Sequence, residues 1–149
     1  MPVLAQPGKR RASVDDVGAA FPRPLSDPER SLLEVLLAEN FPGSDELRAQ
    51  ARTVGVKGFW EDRPSIVLLE VMDPGAPRAN VVHAVPVETK VHDADPPREL
   101  LLFVRDGLLD SIELVDYSGN DAVGLPDIGA VEPPTVNSAG TSGPAPRGR

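Results

Sequence analysis

The sequence predicts an α+β domain in which two N-terminal helices pack on one face of a largely antiparallel sheet of about five strands. Three patterns lead to this prediction. A leucine stripe of helical period follows residue 26, alternation of period two begins at residue 53, and two apolar runs flank Asp106-Gly107. The predicted domain covers residues 25–132. We expect the flanking segments 1–24 and 133–149 to be disordered tails, because they offer little apolar surface to offset the entropy of ordering.

The first predicted helix begins at Ser26, whose hydroxyl has the position of an N-cap. Glu29 follows three residues later, which is the spacing of a capping box. Leucines then recur at i, i+1, i+4 and i+5 from Leu32, and we expect this stripe to face the core. The helix should end at Phe41-Pro42-Gly43, and Ser44 should begin a second, shorter helix.

Three strands are predicted before the hairpin. Residues 53–60 alternate between apolar and other residues, and the continuous apolar run 65–72 suggests a central strand buried on both faces. Residues 80–91 alternate again. Pro86 cannot donate to a strand ladder, so this strand should lie at an edge or break there. After the hairpin, Leu125, Ile128 and Val131 could lay a short apolar strap on the domain.

Asp-Gly between two apolar runs is a strong signal for a β-hairpin, and two registers are open. A two-residue turn pairs Arg105 with Leu108, whereas a three-residue loop with Gly107 as a bulge pairs Val104 with Leu108. A one-residue slip moves every side chain to the other face, so the register with the better apolar face should be favoured. We therefore prefer the bulged loop, which leaves Asp110 on the apolar face. That face would consist of Leu100, Leu102, Val104, Leu108, Ile112 and Leu114.

The charge of the chain limits its partners. The formal net charge of the 149 residues is −8, and residues 25–117 carry 18 acidic against 9 basic side chains. Nucleic acid is therefore not expected as a partner, because binding to phosphates needs clustered Lys and Arg. Acidity by itself favours solubility, but it also favours a basic protein as partner. The candidate binding residues of this acidic face are Glu61, Asp62, Asp93, Asp95 and Asp110.

The composition also indicates a compartment. The chain has no cysteine, so it has no disulfides and no thiolate chemistry. It has neither an 18-residue apolar run nor the apolar segment of a signal peptide. We expect a soluble, cytoplasmic protein without a membrane segment.

The residues available for catalysis are few. His83 and His92 are the only histidines, and their spacing matches no common metal motif, so they are the sole metal-ligand candidates and no cofactor is expected. Nucleophile elbows, Walker loops and dinucleotide fingerprints are missing from the sequence. The function predicted first is therefore a non-catalytic, acidic protein-binding module. The alternative is a small-ligand or metal-dependent enzyme that uses both histidines and nearby carboxylates.

Four features of the sequence together resemble a group of small bacterial α+β proteins with no assigned activity. They are a leucine-rich first helix, Phe41-Pro42-Gly43, Pro64-Ser65-Ile66 and the Asp106-Gly107 hairpin. The resemblance covers residues 25–117. Its motifs are structural, so it implies the fold and no particular chemistry. Members of that group often carry cysteines in the turn before Pro-Ser-Ile. This chain has Trp60 to Arg63 there, so no thiol role carries over. A small acidic α+β chain is also similar to immunity proteins, which implies a basic toxin as partner.

Overall fold

The fold is that of a computed structural model, in which residues 21–119 and 124–136 are described. The predicted tail residues 1–20 and 137–149 lie outside this part of the chain. The elements follow the chain in the order β1 (Arg23–Pro24), α1 (Asp27–Leu36), α2 (Ser44–Ala51), β2 (Val54–Phe59), a 3-10 turn (Trp60–Asp62), β3 (Ile66–Val71), β4 (His83–Ala84), β5 (Val87–Glu88), β6 (Lys90–Val91), β7 (Arg98–Arg105), β8 (Leu108–Val115), a second 3-10 turn (Ile128–Ala130) and β9 (Thr135–Val136).

The described strands form an antiparallel sheet of seven strands and a separate two-stranded ladder. The large sheet has the order β1-β2-β3-β8-β7, and β4 and β6 both pair with the outer edge of β7. The smaller ladder joins β5 to β9. The α+β class and the antiparallel sheet are thus confirmed, but the expected number of about five strands is wrong. The segment 80–91 divides into three short strands, with Pro86 at the first break, and β1 adds an edge that the sequence did not indicate.

Helix α1 begins as its sequence predicts, but it ends at Leu36, before the expected end at Phe41-Pro42-Gly43, because the backbone of Leu37 is already non-helical. The Ser26 hydroxyl accepts a hydrogen bond from the Glu29 amide (3.2 Å), and the Ser26 amide donates to the Glu29 carboxylate (2.8 Å). Two N–H groups that the helix leaves unpaired are thereby satisfied. The leucine stripe is buried and belongs to the same core cluster as the inner residues of the sheet. These leucines are Leu32, Leu33, Leu36 and Leu37.

The β7–β8 hairpin differs from the preferred register. Arg105 pairs with Leu108, so the turn has the two central residues Asp106 and Gly107, with φ of 55° and 79°. Positive φ at both positions is the signature of a type I′ turn. The three-residue loop was therefore wrong, and the extra residue lies inside β8. Val104 pairs with Leu109 and Phe103 pairs with Ser111, which leaves Asp110 as the bulge.

The displaced bulge explains why the predicted apolar face is nevertheless largely correct. With a two-residue turn and no bulge, the apolar residues of β8 after Asp110 would point to the opposite face from the core leucines of β7. The extra residue at Asp110 shifts the alternation by one position and returns them to the core face. Leu109 takes the buried position expected for Leu108, and Asp110 leaves the apolar face on which it was expected. The buried residues of the hairpin are Leu100, Leu102, Val104, Leu109, Ile112 and Leu114.

Ordered structure extends beyond both predicted limits of the domain. Arg23–Pro24 pairs with β2, and Thr135–Val136 pairs with β5. Both pairings join segments that are distant in the sequence, so local composition does not predict them. Of the predicted strap, Leu125 and Val131 pack against the core, but Ile128 is 45% exposed. In the part of the chain that the structure describes, no helix combines the length and apolar character needed to span a membrane.

Candidate binding surface on the open face of the sheet

The two faces of the sheet have different surroundings. Val67 and Leu69 of β3 are buried in the core with the helices. Ile66 and Leu68 of the same strand are only half-buried and do not belong to that core cluster. Strand β3 is central, as predicted, but the expectation that both of its faces are buried is wrong. The predicted helices contribute to the core on one side only.

The strand register identifies the residues of the second face. Glu113 lies opposite Leu101 on one side and Ile66 on the other, and Ser111 lies between Phe103 and Leu68. Residues directly opposite in a ladder share a face. We call this surface the open face. Its residues on the four inner strands are Gly55, Gly58, Ile66, Leu68, Glu70, Glu99, Leu101, Phe103, Arg105, Leu108, Ser111, Glu113 and Val115.

Two adjoining cavities cross the open face, and both are lined by Arg105, Asp110, Ser111 and Glu113. One cavity, of about 630 Å³, extends towards His83. The other, of about 360 Å³, extends towards Trp60. The four shared residues therefore form the floor between the two cavities. We call the whole depression the open-face groove.

Two carboxylates meet at this floor. Burial raises the pKa of Glu113, and the negative charge of Asp110 raises it further, whereas a hydrogen bond from Ser111 opposes both effects. The Ser111 hydroxyl lies 3.4 Å from the Glu113 carboxylate. Arg105 approaches Asp110 only loosely, at 3.9 Å. The floor therefore holds two acids close enough to influence each other, with incomplete neutralisation by neighbouring cations.

The structure does not bring the five predicted acidic residues together. Asp110 lies in the groove. Glu61 and Asp62 are exposed in the 3-10 turn directly after Trp60, with φ of 48° and 60°. Asp93 and Asp95 precede β7, at the opposite end of that strand from the turn near Asp110. Asp93 is held by two hydrogen bonds from Arg98, which are the main reason that the pKa of Asp93 is lowered.

The two histidines do not form a common site. His83 pairs with Val104 near one end of β7, and His92 follows β6, which pairs with the other end. The six strand positions from Arg98 to Val104 correspond to about 20 Å. His92 instead contacts Glu132 (2.8 Å). Among residues 21–119 and 124–136, no three His, Cys, Asp or Glu side chains are grouped closely enough to hold a metal ion.

Several groove residues were missed by the sequence analysis. Trp60, Phe103, Arg105 and Glu113 line the groove, but none was a candidate. The available signal was the alternate face of the predicted hairpin. Leu101, Phe103 and Glu113 alternate with the core residues of the hairpin, so the hairpin register indicates that they share the opposite face.

The fold and the groove define a class: an α+β domain whose antiparallel sheet carries its core on one side and a partly apolar, acidic groove on the other. None of the family models, curated proteins or solved structures compared with this chain matches it. The resemblance to small bacterial α+β proteins therefore stays a prediction.

Proposed function

We propose that the protein is a non-catalytic binding module that holds a basic segment of another protein on its open face. The observation that carries the proposal is the set of apolar side chains outside the core. Four apolar side chains of the open face are half-buried and lie outside the core cluster. Ile66, Leu68 and Phe103 line the groove, and Leu101 lies on the same face of β7. These side chains form two apolar pairs, with Ser111 and Glu113 between them. Partly exposed apolar side chains beside charged groups are typical of protein-interaction sites.

The charges around the groove favour a cationic partner. The open face and the bulge beside it carry four carboxylates, those of Glu70, Glu99, Asp110 and Glu113. Against them stand three cationic side chains of the described residues: Lys57 and Arg105, which line the groove, and Lys90, which lies opposite Glu99 in the pair of β6 and β7. Glu61 and Asp62 add negative charge beside the groove. Opposite charge steers association and suppresses wrong partners more than it adds affinity.

Trp60 provides an anchor for such a partner. Its side chain is 52% exposed, it lines the groove, and the acidic turn Glu61-Asp62 follows it directly. Exposed tryptophan is enriched among residues that dominate binding energy, and its face attracts Arg and Lys side chains. An immunity-like role against a basic toxin is the narrower form of the proposal, and the acidic charge of the chain supports it.

A matched pair of variants tests the proposal. Leu68→Lys places a cation on the open face, whereas Ile128→Lys places the same change on an exposed residue outside the groove. We expect the immobilised wild-type protein to retain a basic protein from a lysate of its own cells, and retention should fall when salt is raised. Leu68→Lys should reduce retention at least tenfold, and Ile128→Lys should leave it unchanged.

Circular dichroism of both variants controls for folding. The proposal fails if Leu68→Lys retains the same proteins as the wild type. It also fails if nothing is retained by the wild type, or if retention does not depend on salt.

A further inference from the structure

The smaller cavity of the groove, of about 360 Å³, has walls of three different chemistries. We call it the Trp60 cavity. Trp60, Ile66 and Leu68 provide apolar surface, Asp110 and Glu113 provide carboxylates, and Lys57 and Arg105 provide cationic groups. Its volume lies within the range of about 300–1,000 Å³ that is usual for small-molecule sites. An extended protein segment would use the whole face, but this cavity is large enough for a small ligand alone.

We propose that the Trp60 cavity binds a free α-amino acid with an apolar side chain. The α-ammonium group would lie against Asp110 and Glu113, and the α-carboxylate against Lys57 and Arg105. The side chain would contact Trp60 and its apolar neighbours. A purely cationic or purely anionic ligand satisfies only one pair of charges in the cavity, whereas a zwitterion satisfies both.

The existing contacts leave both charge pairs available to such a ligand. Arg105 lies 3.9 Å from Asp110, beyond hydrogen-bond distance, and its side chain is largely exposed. Among the described residues, Lys57 forms no salt bridge, and the Glu113 carboxylate has only the Ser111 hydroxyl as a hydrogen-bond partner. Burial disfavours the charged form of Glu113 and raises its pKa. An ammonium group would provide the positive charge that this carboxylate lacks.

The test is a titration with L-leucine, followed through the fluorescence of Trp60, the only tryptophan of the chain. L-Leucine should change the emission and raise the melting temperature of the full chain. N-acetyl-leucine lacks the ammonium group and leucinamide lacks the carboxylate. Each should bind at least tenfold more weakly than leucine, because each leaves one pair of charges in the cavity without a counterpart.

Two conservative variants test the contact between the ammonium group of the ligand and the carboxylates of the cavity. Glu113→Gln should weaken leucine binding at least fivefold and leave the weak binding of N-acetyl-leucine unchanged. Glu70→Gln removes a carboxylate from the same face but outside the cavity, so it should have no effect. The inference is overturned if leucine has no effect at 20 mM, if the two analogues bind as well as leucine, or if Glu70→Gln weakens binding as much as Glu113→Gln.

The amino-acid site and the protein-binding role stand on different measurements. The retention experiment with Leu68→Lys and Ile128→Lys measures a basic protein, and the leucine titration measures a small zwitterion. If leucine fails to bind while salt-sensitive retention persists, only the ligand site is wrong. If leucine binds and no protein is retained, only the protein-binding role is wrong.

Discussion

Replacing Gln50 by leucine is expected to lower the free energy of unfolding by about 4 kcal/mol. Gln50 is 0% exposed, and its amide joins three separate segments. Its Nε2 group donates to the carbonyl oxygens of Pro77 (2.7 Å) and Gly107 (2.8 Å), and its Oε1 accepts from the Leu109 amide (2.8 Å). Leucine has a similar size but no polar atom. It would leave the buried Leu109 amide without its present partner, and it would remove the donor to the carbonyl oxygens of Pro77 and Gly107.

Urea unfolding of both proteins measures this loss. The control is Glu46→Leu, which also introduces leucine, but on a partly exposed residue of the same helix, and should change stability by less than about 1 kcal/mol. Gln50 also positions the turn that begins β8, so Gln50→Leu should broaden or shift the amide resonances of Gly107 and Leu109. A destabilisation as small as that of the control would mean that these hydrogen bonds contribute little.

Replacing Glu29 by alanine is expected to cost about 3 kcal/mol at neutral pH. Glu29 is only 8% exposed and accepts two hydrogen bonds from the Arg23 guanidinium, each 2.9 Å long. It also accepts the Ser26 amide in the capping box of α1. Alanine would remove the carboxylate that fixes β1 to α1 and leave a mostly buried guanidinium without this counterion.

The same residue predicts a pH dependence with a definite sign. Burial alone would raise the pKa of Glu29, but the hydrogen bonds and charge of Arg23, together with the Ser26 cap, outweigh burial and lower it. A carboxyl whose pKa is lower in the folded state stabilises the fold above its unfolded pKa. This contribution is lost as the pH falls through the folded pKa. The stability difference between wild type and Glu29→Ala should therefore shrink below about pH 4.5.

Urea unfolding between pH 3 and pH 7 measures this difference. Glu39→Ala is the control, because Glu39 is exposed and its side chain forms no salt bridge with the described residues. A gap between wild type and Glu29→Ala that stays constant over this range would contradict the role given to the charged pair.

Local patterns predicted those parts of the fold that depend on neighbours in the sequence. The Ser26–Glu29 cap lies within one turn of helix, and the leucine stripe of α1 repeats at helical period, so both could be recognised directly. The β7–β8 hairpin was located by its Asp-Gly turn. The register of the hairpin was predicted wrongly. The two-residue turn and the apolar buried face were expected to exclude each other, but a bulge at Asp110 makes both possible in the same hairpin.

Features that depend on distant residues were beyond such patterns. The partners of Gln50 lie 27, 57 and 59 positions away, and a single glutamine in a short helix gives no sign of them. The groove also depends on residues that are distant in the sequence. Trp60 comes from one hairpin and Glu113 from another, and they line one cavity only because β3 pairs with β8. Asp110 was predicted on the basis of charge alone, and its position beside Glu113 follows from the bulge.

The most direct measurement is the relaxation of side-chain methyl groups by a neutral, water-soluble nitroxide. The open face predicts strong relaxation at Ile66, Leu68 and Leu101, and protection at Leu69, Leu100 and Ile112 on the opposite side of the same strands. Addition of the retained basic protein should then protect the first three. Equal protection of all six methyl-bearing residues in the free protein would mean that a second layer already covers the sheet, and would contradict a binding surface there.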